Sequence, residues 1–323
     1  MSQPVRKDGK KDVYLFSHSQ FSTHNTCPKK YKNHYVDRIR PRRMTAAALT
    51  MGSAFHAGVE ALYEGRNPTH AITGIFKDAE EGAKTADQKA QLAIDRKKVL
   101  AMVKGYQTHY IAEDRQRFAK ILIEEPFEIT LLENATTKLC YEGYIDALGI
   151  QEDGTVVVFE HKTAAQINPD YWNRVRLDWQ IKSYAHGAKS VTGKWPKSVI
   201  YTVVKKTAIR RKVAESLNMF AQRCEDEFGL HAEEKGYFNR QELLFDKKAV
   251  LAWKKGAQLK AQQIYKSLVK DGPWLEFTNS CLGWMGHGCD FMNYCCTGNI
   301  NDMLYEVKDD TQYRGAMKGD KKG

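Results

Sequence analysis

The sequence predicts an α/β fold in which a central mixed β-sheet is flanked by helices. Three observations lead there. Residues 126–132 (PFEITLL), 139–150 (LCYEGYIDALGI), 155–162 (TVVVFEHK) and 198–204 (SVIYTVV) are rich in β-branched and aromatic side chains and read as strands. Helical periodicity precedes them, in GSAFHAGVEALYEG at 52–65 and in a Lys/Gln/Ala-rich stretch from about 85 to 118, and it returns from roughly 211 to 270. A helix-like segment, DWQIKSYAHGAKS at 178–190, sits between the third and fourth strands. With 323 residues, 42% of them hydrophobic, the chain suits one large domain or two modest ones and has the apolar mass for a core.

Taken in order, the first distinctive stretch is KKYKNHYVDRIRPRR at 29–43. It carries Lys29, Lys30, Lys32, Arg38, Arg40, Arg42 and Arg43 against one acid, Asp37, with Tyr31 and Tyr35 interleaved. Cations mixed with aromatics suit phosphate contact and base stacking, and equally a solvated helix face. Across the chain, 50 basic and 39 acidic side chains give a net charge of +11 and a pI near 9.1, which favours a polyanionic partner, nucleic acid foremost. In the helix at 52–65, Phe55, Val59 and Leu62 form an apolar stripe, and His56, Glu60 and Tyr63 form another about 100° around it. A second basic run, KKTAIRRK at 205–212, follows the fourth strand, and the tail from Asp309 is polar and expected to be disordered. No run approaches the ~18 apolar residues of a membrane span, and the start, MSQPVRKDGKKDVY, has no signal-peptide core, so a cytoplasmic location is expected.

The stretch VVVFEHKTA at 156–164 is a buried-strand sequence interrupted by charge. With a side-chain period of two, Glu160 and Lys162 share the face of Val156 and Val158. Buried charges are paired or hold a metal, so an internal ion pair and a metal site are both open on this fragment alone. A three-residue loop of Glu152, Asp153 and Gly154, with Gly154 in the left-handed position, would pair Gln151 with Thr155 and set Asp146 opposite Glu160. Asp146, Glu160 and Lys162 then converge on one patch. Two carboxylates and an amine on one face suit a hard divalent cation such as Mg²⁺, with the lysine orienting a water or steadying developing charge.

The order GYID (143–146), FEHK (159–162) and QIKSY (180–184) resembles the PD-(D/E)xK nuclease superfamily, specifically its RecB-like branch, with its G-x-x-D, E/D-x-K and Q-x-x-x-Y motifs. Gly52 and His56 match that branch's upstream G-x-x-x-H pattern. The resemblance implies a restriction-endonuclease-like core in which His56, Asp146 and Glu160 bind Mg²⁺ or Mn²⁺. Lys162 would assist catalysis, and Gln180 and Tyr184, one turn apart on a helix, would contact DNA and position the lysine. The proline of the superfamily name is absent before Asp146, as it commonly is in this branch. On this reading residues 1–16 are a flexible basic lead and 17–300 a single nuclease domain. That domain has a helical part at 17–120, a catalytic sheet core at 121–205 and a helical, Cys-rich part at 206–300, followed by a flexible tail at 301–323.

Of the seven cysteines, Cys281, Cys289, Cys295 and Cys296 cluster in CLGWMGHGCDFMNYCC, and Cys27 opens TCPKKYKNHY. In a cytoplasmic chain such a cluster suggests metal or reactive chemistry more than disulfides. One early and three late cysteines resemble the split iron–sulfur site of AddB-type and CRISPR-adaptation members of the branch, which implies a 4Fe-4S cluster on Cys27, Cys281, Cys289 and Cys295 pinning the N-terminal segment to the C-terminal end. The eight positions from Cys281 to Cys289 depart from the close pair usual there. Cys296 could replace Cys295, four thiolates would also hold structural zinc, and His287 is a less favoured ligand. Cys140 and Cys224 read as packing residues. GAKSVTGKW at 187–195 lacks the spacing and the Ser/Thr of a phosphate-binding loop, so no nucleotide-driven motor is expected.

The expected activity is metal-dependent hydrolysis of DNA from an end, in recombination, repair or phage DNA processing. The basic segment Lys29, Lys30, Lys32, Arg40, Arg42 and Arg43 would bind DNA. Resemblance to phage-type exonucleases makes a single-strand annealing protein or a separate helicase a plausible partner, in the host cytoplasm if the chain is phage-encoded. The alternatives are a non-catalytic DNA-end-binding module of the same fold and a CRISPR-adaptation nuclease that trims DNA.

Overall fold

The structure, a computed structural model, describes residues 5–42, 47–270, 272–282 and 288–308. Strands β1 (Val5–Asp8) and β2 (Lys11–Phe16) lead into helices α1 (His18–Thr26) and α2 (Pro28–Tyr31), a π-helical turn over Lys32–Val36 and β3 (Ile39–Pro41). Helices α3 (Ala47–Tyr63), α4 (Pro68–Glu81), α5 (Ala86–Tyr106) and α6 (Ala112–Arg117) follow. Then come β4 (Lys120–Glu133), β5 (Thr137–Ile150), β6 (Val156–Ala164), α7 (Pro169–Leu177), α8 (Trp179–Thr192) and β7 (Ser198–Lys205). The chain ends in α9 (Leu217–Phe228), β8 (Phe238–Leu244), α10 (Lys247–Val269), α11 (Met292–Thr297) and β9 (Tyr305–Val307). It divides into two compact units, residues 44–127 with 144–250, and residues 1–43 with 128–143 and 251–323.

In the 44–250 unit the second half of β5 runs antiparallel to β6, β6 parallel to β7, and β7 antiparallel to β8, a mixed sheet flanked by helices. Parallel neighbours need a crossover, and α7 with α8 supplies it. β6 is buried through its first six residues and β7 through its first seven, as strands covered on both faces should be. One core joins Phe55, Val59, Phe76, Met102 and Tyr106 of α3–α5 to Phe220 and Phe228 of α9. Another gathers Phe118, Ala147, Val157, Phe159 and Ile200, where each apolar side chain larger than alanine contributes about 1.5–3 kcal/mol. Gly149 is required there, because a Cβ would come within 2.5 Å of the Phe118 ring and 2.8 Å of Phe159.

The β5–β6 link forms as its residues dictate. Gly154 takes φ +76°, and Gln151 N–H donates to Thr155 O at 3.0 Å. The register runs from Ile150↔Val156 to Ala147↔Phe159, the frame that sets Asp146 against Glu160.

In the other unit β1 pairs antiparallel with β2, and β2 parallel with the first half of β5. Within the flexible lead expected at 1–16, residues 5–8 and 11–16 are therefore strands. Phe21, Tyr141 and Trp253 pack ring to ring, with centroids 5.5 and 5.1 Å apart. The early and late segments are tied by β3–β9 pairing, by Lys29 N–H donating to Leu275 O at 3.0 Å and by Tyr31 stacked on Trp274.

Two elements depart from the sequence reading. Within the stretch read as helical from 211 to 270, residues 238–244 form β8. Its sequence FNRQELL is polar and none of it is fully buried, as in an edge strand without an alternating apolar face. Helix α7 also went unread, although Asn168 caps it and Pro169 opens it, a standard start signal. No helix of the described residues is long and apolar enough to cross a membrane. The polar tail from Asp309, Arg43 and His287 lie outside the described residues.

Candidate active site

Five of the six residues picked for catalysis or metal binding lie within direct reach of one another, and the sixth, Tyr184, joins them through Gln180. β6 ends by turning Glu160 into the protein, with no exposed surface, and Lys162 outward of it on the same face. The backbone ladder to β5 stops at Ala147↔Phe159. One step further, Asp146 Oδ2 accepts the His161 N–H at 2.9 Å, so a carboxylate takes a bond that a ladder carbonyl would otherwise receive. From α3, His56 Nδ1 stands 3.5 Å from Asp146 Oδ2. Lys162 Nζ forms an ion pair with Glu160 Oε1 and donates to Gln180 Oε1 at 3.3 Å. Gln180 Nε2 in turn donates to Tyr184 Oη at 2.7 Å. Asp178 sets the start of α8 by accepting the Gln180 N–H at 2.7 Å, which aims Gln180 at the strand end.

The electrostatics are those of a site short of positive charge. Burial, then repulsion from Asp146, raises the Glu160 carboxyl despite Lys162, and burial likewise raises Asp146. Burial disfavours the Lys162 ammonium, but Glu160 and Asp146 outweigh it and hold the lysine charged. Burial, with Lys162 nearby, lowers His56 to about 4, leaving a neutral imidazole with a free lone pair. Glu160 Oε2 is buried with no hydrogen-bond partner among the described residues, a costly state for a carboxylate. Two carboxylates, one with an orphan oxygen, and a neutral imidazole are a fitting donor set for Mg²⁺ or Mn²⁺. Among the described residues no three His, Cys, Asp or Glu side chains are gathered as around an ion, and at Glu160 the lysine ammonium supplies the positive charge.

Two neighbours escaped the sequence reading. Tyr201 of β7 lies level with Glu160 in the parallel register, and its hydroxyl is 3.1 Å from that of Tyr171 on α7. Parallel register is set by the crossover, which no local signal encodes. On the opposite face of β6, His161 enters a buried polar network. His161 Nδ1 is 3.3 Å from Tyr106 Oη, Tyr63 Oη donates to Asp114 at 2.7 Å, and Arg240 binds both Asp114 oxygens at 2.7 and 3.0 Å.

All of the cysteines but Cys224, and the first basic segment, lie in the other unit. Cys27 is buried, Cys281 and Cys289 are half-buried, and Cys295 and Cys296 are exposed. Cys289 N–H donates to Cys281 O at 2.8 Å, closing the late loop. Burial and then the neighbouring Cys289, Cys27 and Cys296 raise the Cys281 thiol, while Cys295 Sγ accepts from Asn33 Nδ2 at 3.5 Å. Cys140 and Cys224 are buried, and burial pushes their thiols up to about 12 and about 11, as suits inert packing residues. Most of the basic segment is engaged within the protein. Lys32 pairs with Asp37 at 2.6 Å, Lys29 with Glu276 and Arg42 with Glu306 at 3.7 Å, and Arg40 donates to His34 O.

A mixed sheet with Asp146, Glu160 and Lys162 gathered where β5 and β6 separate defines the class, a nuclease-type α/β core. The chain belongs to the PD-(D/E)XK nuclease superfamily, whose family model matches residues 15–296. Among solved structures, a protein named "Putative exonuclease" from Eubacterium rectale shares the fold at TM-score 0.51 and 11% identity, over 94% of this chain and 93% of that one. The protein SSO0001 aligns at TM-score 0.32 and 9% identity over 88% and 97%, too distant to carry an argument. No curated protein matches the chain.

Proposed function

We propose that this protein is a metal-dependent deoxyribonuclease of the RecB-like branch that hydrolyses DNA from an end. The observation that carries the reading is the buried, half-unpartnered Glu160 beside Asp146, His56 and Lys162 at the end of β6. His56, Asp146 and Glu160 would hold Mg²⁺ or Mn²⁺, which when bound would neutralise phosphodiester charge and acidify a water. The chain's own groups do the positioning. Lys162 stays charged, so it can orient the attacking water or hold negative charge as it develops on the phosphate. Gln180 braces Lys162 and is itself braced by Tyr184, which fixes the ammonium along a two-bond chain. The name of the Eubacterium rectale neighbour supports the exonuclease mode.

In the other unit, Cys27, Cys281 and Cys289, with Cys295 or Cys296, would hold a 4Fe-4S cluster or zinc. The enzyme would act in the cytoplasm, alongside an annealing protein or a separate helicase.

The test is degradation of end-labelled linear DNA beside a covalently closed circle, with Mg²⁺ or chelator. Loss of the linear DNA alone is expected, with Glu160→Ala slower by about 10²–10³-fold or more. Equal cleavage of the circle would refute the end-dependence, and undiminished cleavage by the variant would refute the site.

A further inference from the structure

We propose that the segment KKTAIRRK at 205–212 is a phosphate-gripping lip of the active site, with Arg210 and Lys212 contacting the backbone of the DNA being cut. The inference rests on the nuclease reading for its substrate, and on the following observations for its place and build.

The segment leaves β7 level with the end of β6, Lys205 facing Ala164 and Val203 facing Lys162. Lys206 N–H then donates to Ala164 O at 2.7 Å, which anchors the loop two residues beyond Lys162. Ligands of open α/β sheets bind at the carboxyl ends of the strands, and both the catalytic lysine and this loop lie there.

The loop is braced from below. Thr207 is buried and accepts the Tyr237 hydroxyl at 3.2 Å, and Ile209 packs on the helical core. Glu215, also buried, binds Arg223 at 2.7 and 2.9 Å and accepts the Lys212 N–H at 2.9 Å. Arg223 donates to Arg210 O at 2.8 Å, and Arg211 Nε donates to Glu215 O at 2.7 Å. The backbone at 210 and 212 is thus clamped by one ion pair, between buried Glu215 and half-buried Arg223, while the Arg210 and Lys212 side chains are exposed and ion-paired with none of the described residues.

This is the reverse of the 29–43 segment, whose cations face Asp37, Glu276 and Glu306 inside their own unit. A fixed backbone carrying exposed cations, on the loop that leaves the strand paired with that of Lys162, suits a repeating phosphate chain, because little backbone order remains to be imposed on binding.

The experiment compares wild type with Arg210→Ser/Lys212→Ser, both exposed positions whose replacement leaves the clamp in place. Affinity for a fluorescent linear duplex is read against salt in chelator. Loss of two phosphate contacts lowers the slope of log K on log salt by about 1.8. In Mg²⁺ the KM for DNA rises while kcat at saturating DNA holds. Lys11→Ser, which removes a cation paired with Glu133 in the other unit, leaves the slope unchanged. An unchanged slope and KM in the double variant overturn the lip. DNA that binds with the expected slope change but is not cleaved by wild type would refute the nuclease reading and keep the lip. Normal cleavage with an unchanged slope would do the opposite. If the double variant does not fold, Arg210→Gln alone answers the question with a slope change of about 0.9.

Discussion

On one face of β6, His161 meets Tyr106, which with Tyr63, Asp114 and Arg240 forms a network of at least five hydrogen bonds at 2.7–3.1 Å. On the other face, one residue away in each direction, Glu160 and Lys162 share a single ion pair and Glu160 Oε2 has no partner among the described residues. Both faces bury charge in the same sheet. Buried polar groups lower the free energy of a fold only when all are paired, and a face left short is poised to bind whatever completes it. His161 Nε2 is also without a hydrogen-bond partner among the described residues, but the network of Tyr63, Tyr106, Asp114 and Arg240 behind it is saturated and holds the strand, and the face of Glu160 is the one proposed for the chemistry.

The largest effect comes from breaking the saturated network. Asp114→Ala would leave the Arg240 guanidinium, only 15% exposed, beside Tyr106 and Thr202 without a counterion. Leaving a buried charge unpaired costs about 3–5 kcal/mol, read as a fall in unfolding free energy in a urea titration. A loss under 1 kcal/mol would mean that the network is ornamental to the fold and that the contrast between the faces is not energetic.

The two faces differed as much in legibility. Glu160, Lys162, Asp146 and even the register could be read because strand period, a Gly-containing loop and motif order are all local signals. The His161 face could not. Asp114 and Arg240 are 126 residues apart, Arg240 stands on β8, and β8 was itself hidden by its polar edge sequence. The same limit applied to the basic segments. Sequence counted seven cations at 29–43, but the partners of Lys29 and Arg42, Glu276 and Glu306, come from the far end of the chain and only the fold supplies them.

Beside β6, Gly149 tests how tightly that strand is held. Gly149→Ala drives a methyl into the Phe118 and Phe159 rings, at 2.5 and 2.8 Å, next to the residues that precede Glu160. Overpacking of this kind costs about 1–3 kcal/mol. A thermal melt should fall accordingly, and an unchanged melting point would mean that the two rings move aside freely.

The smallest effect sharpens the comparison most. Burial raises the Glu160 carboxyl to about 7, above its unfolded value near 4.5. A raised carboxyl keeps its proton in the folded state while the unfolded chain gives it up, so its stabilising contribution is complete below pH 4.5 and is lost as pH rises through about 7. In Glu160→Gln this pH-dependent loss is absent. With metal removed by chelator, the parent should therefore lose stability relative to the variant between pH 5 and pH 8, by an amount on the order of 1 kcal/mol. His161 faces the other way: burial holds its imidazole well below its ordinary value of 6.5, so its contribution is lost as pH falls through 6.5, and His161→Asn should change the pH dependence in the opposite sense to Glu160→Gln. Parallel stability–pH curves for parent and Glu160→Gln would show that Lys162 already satisfies Glu160, and the unsaturated face would lose its claim to a cation.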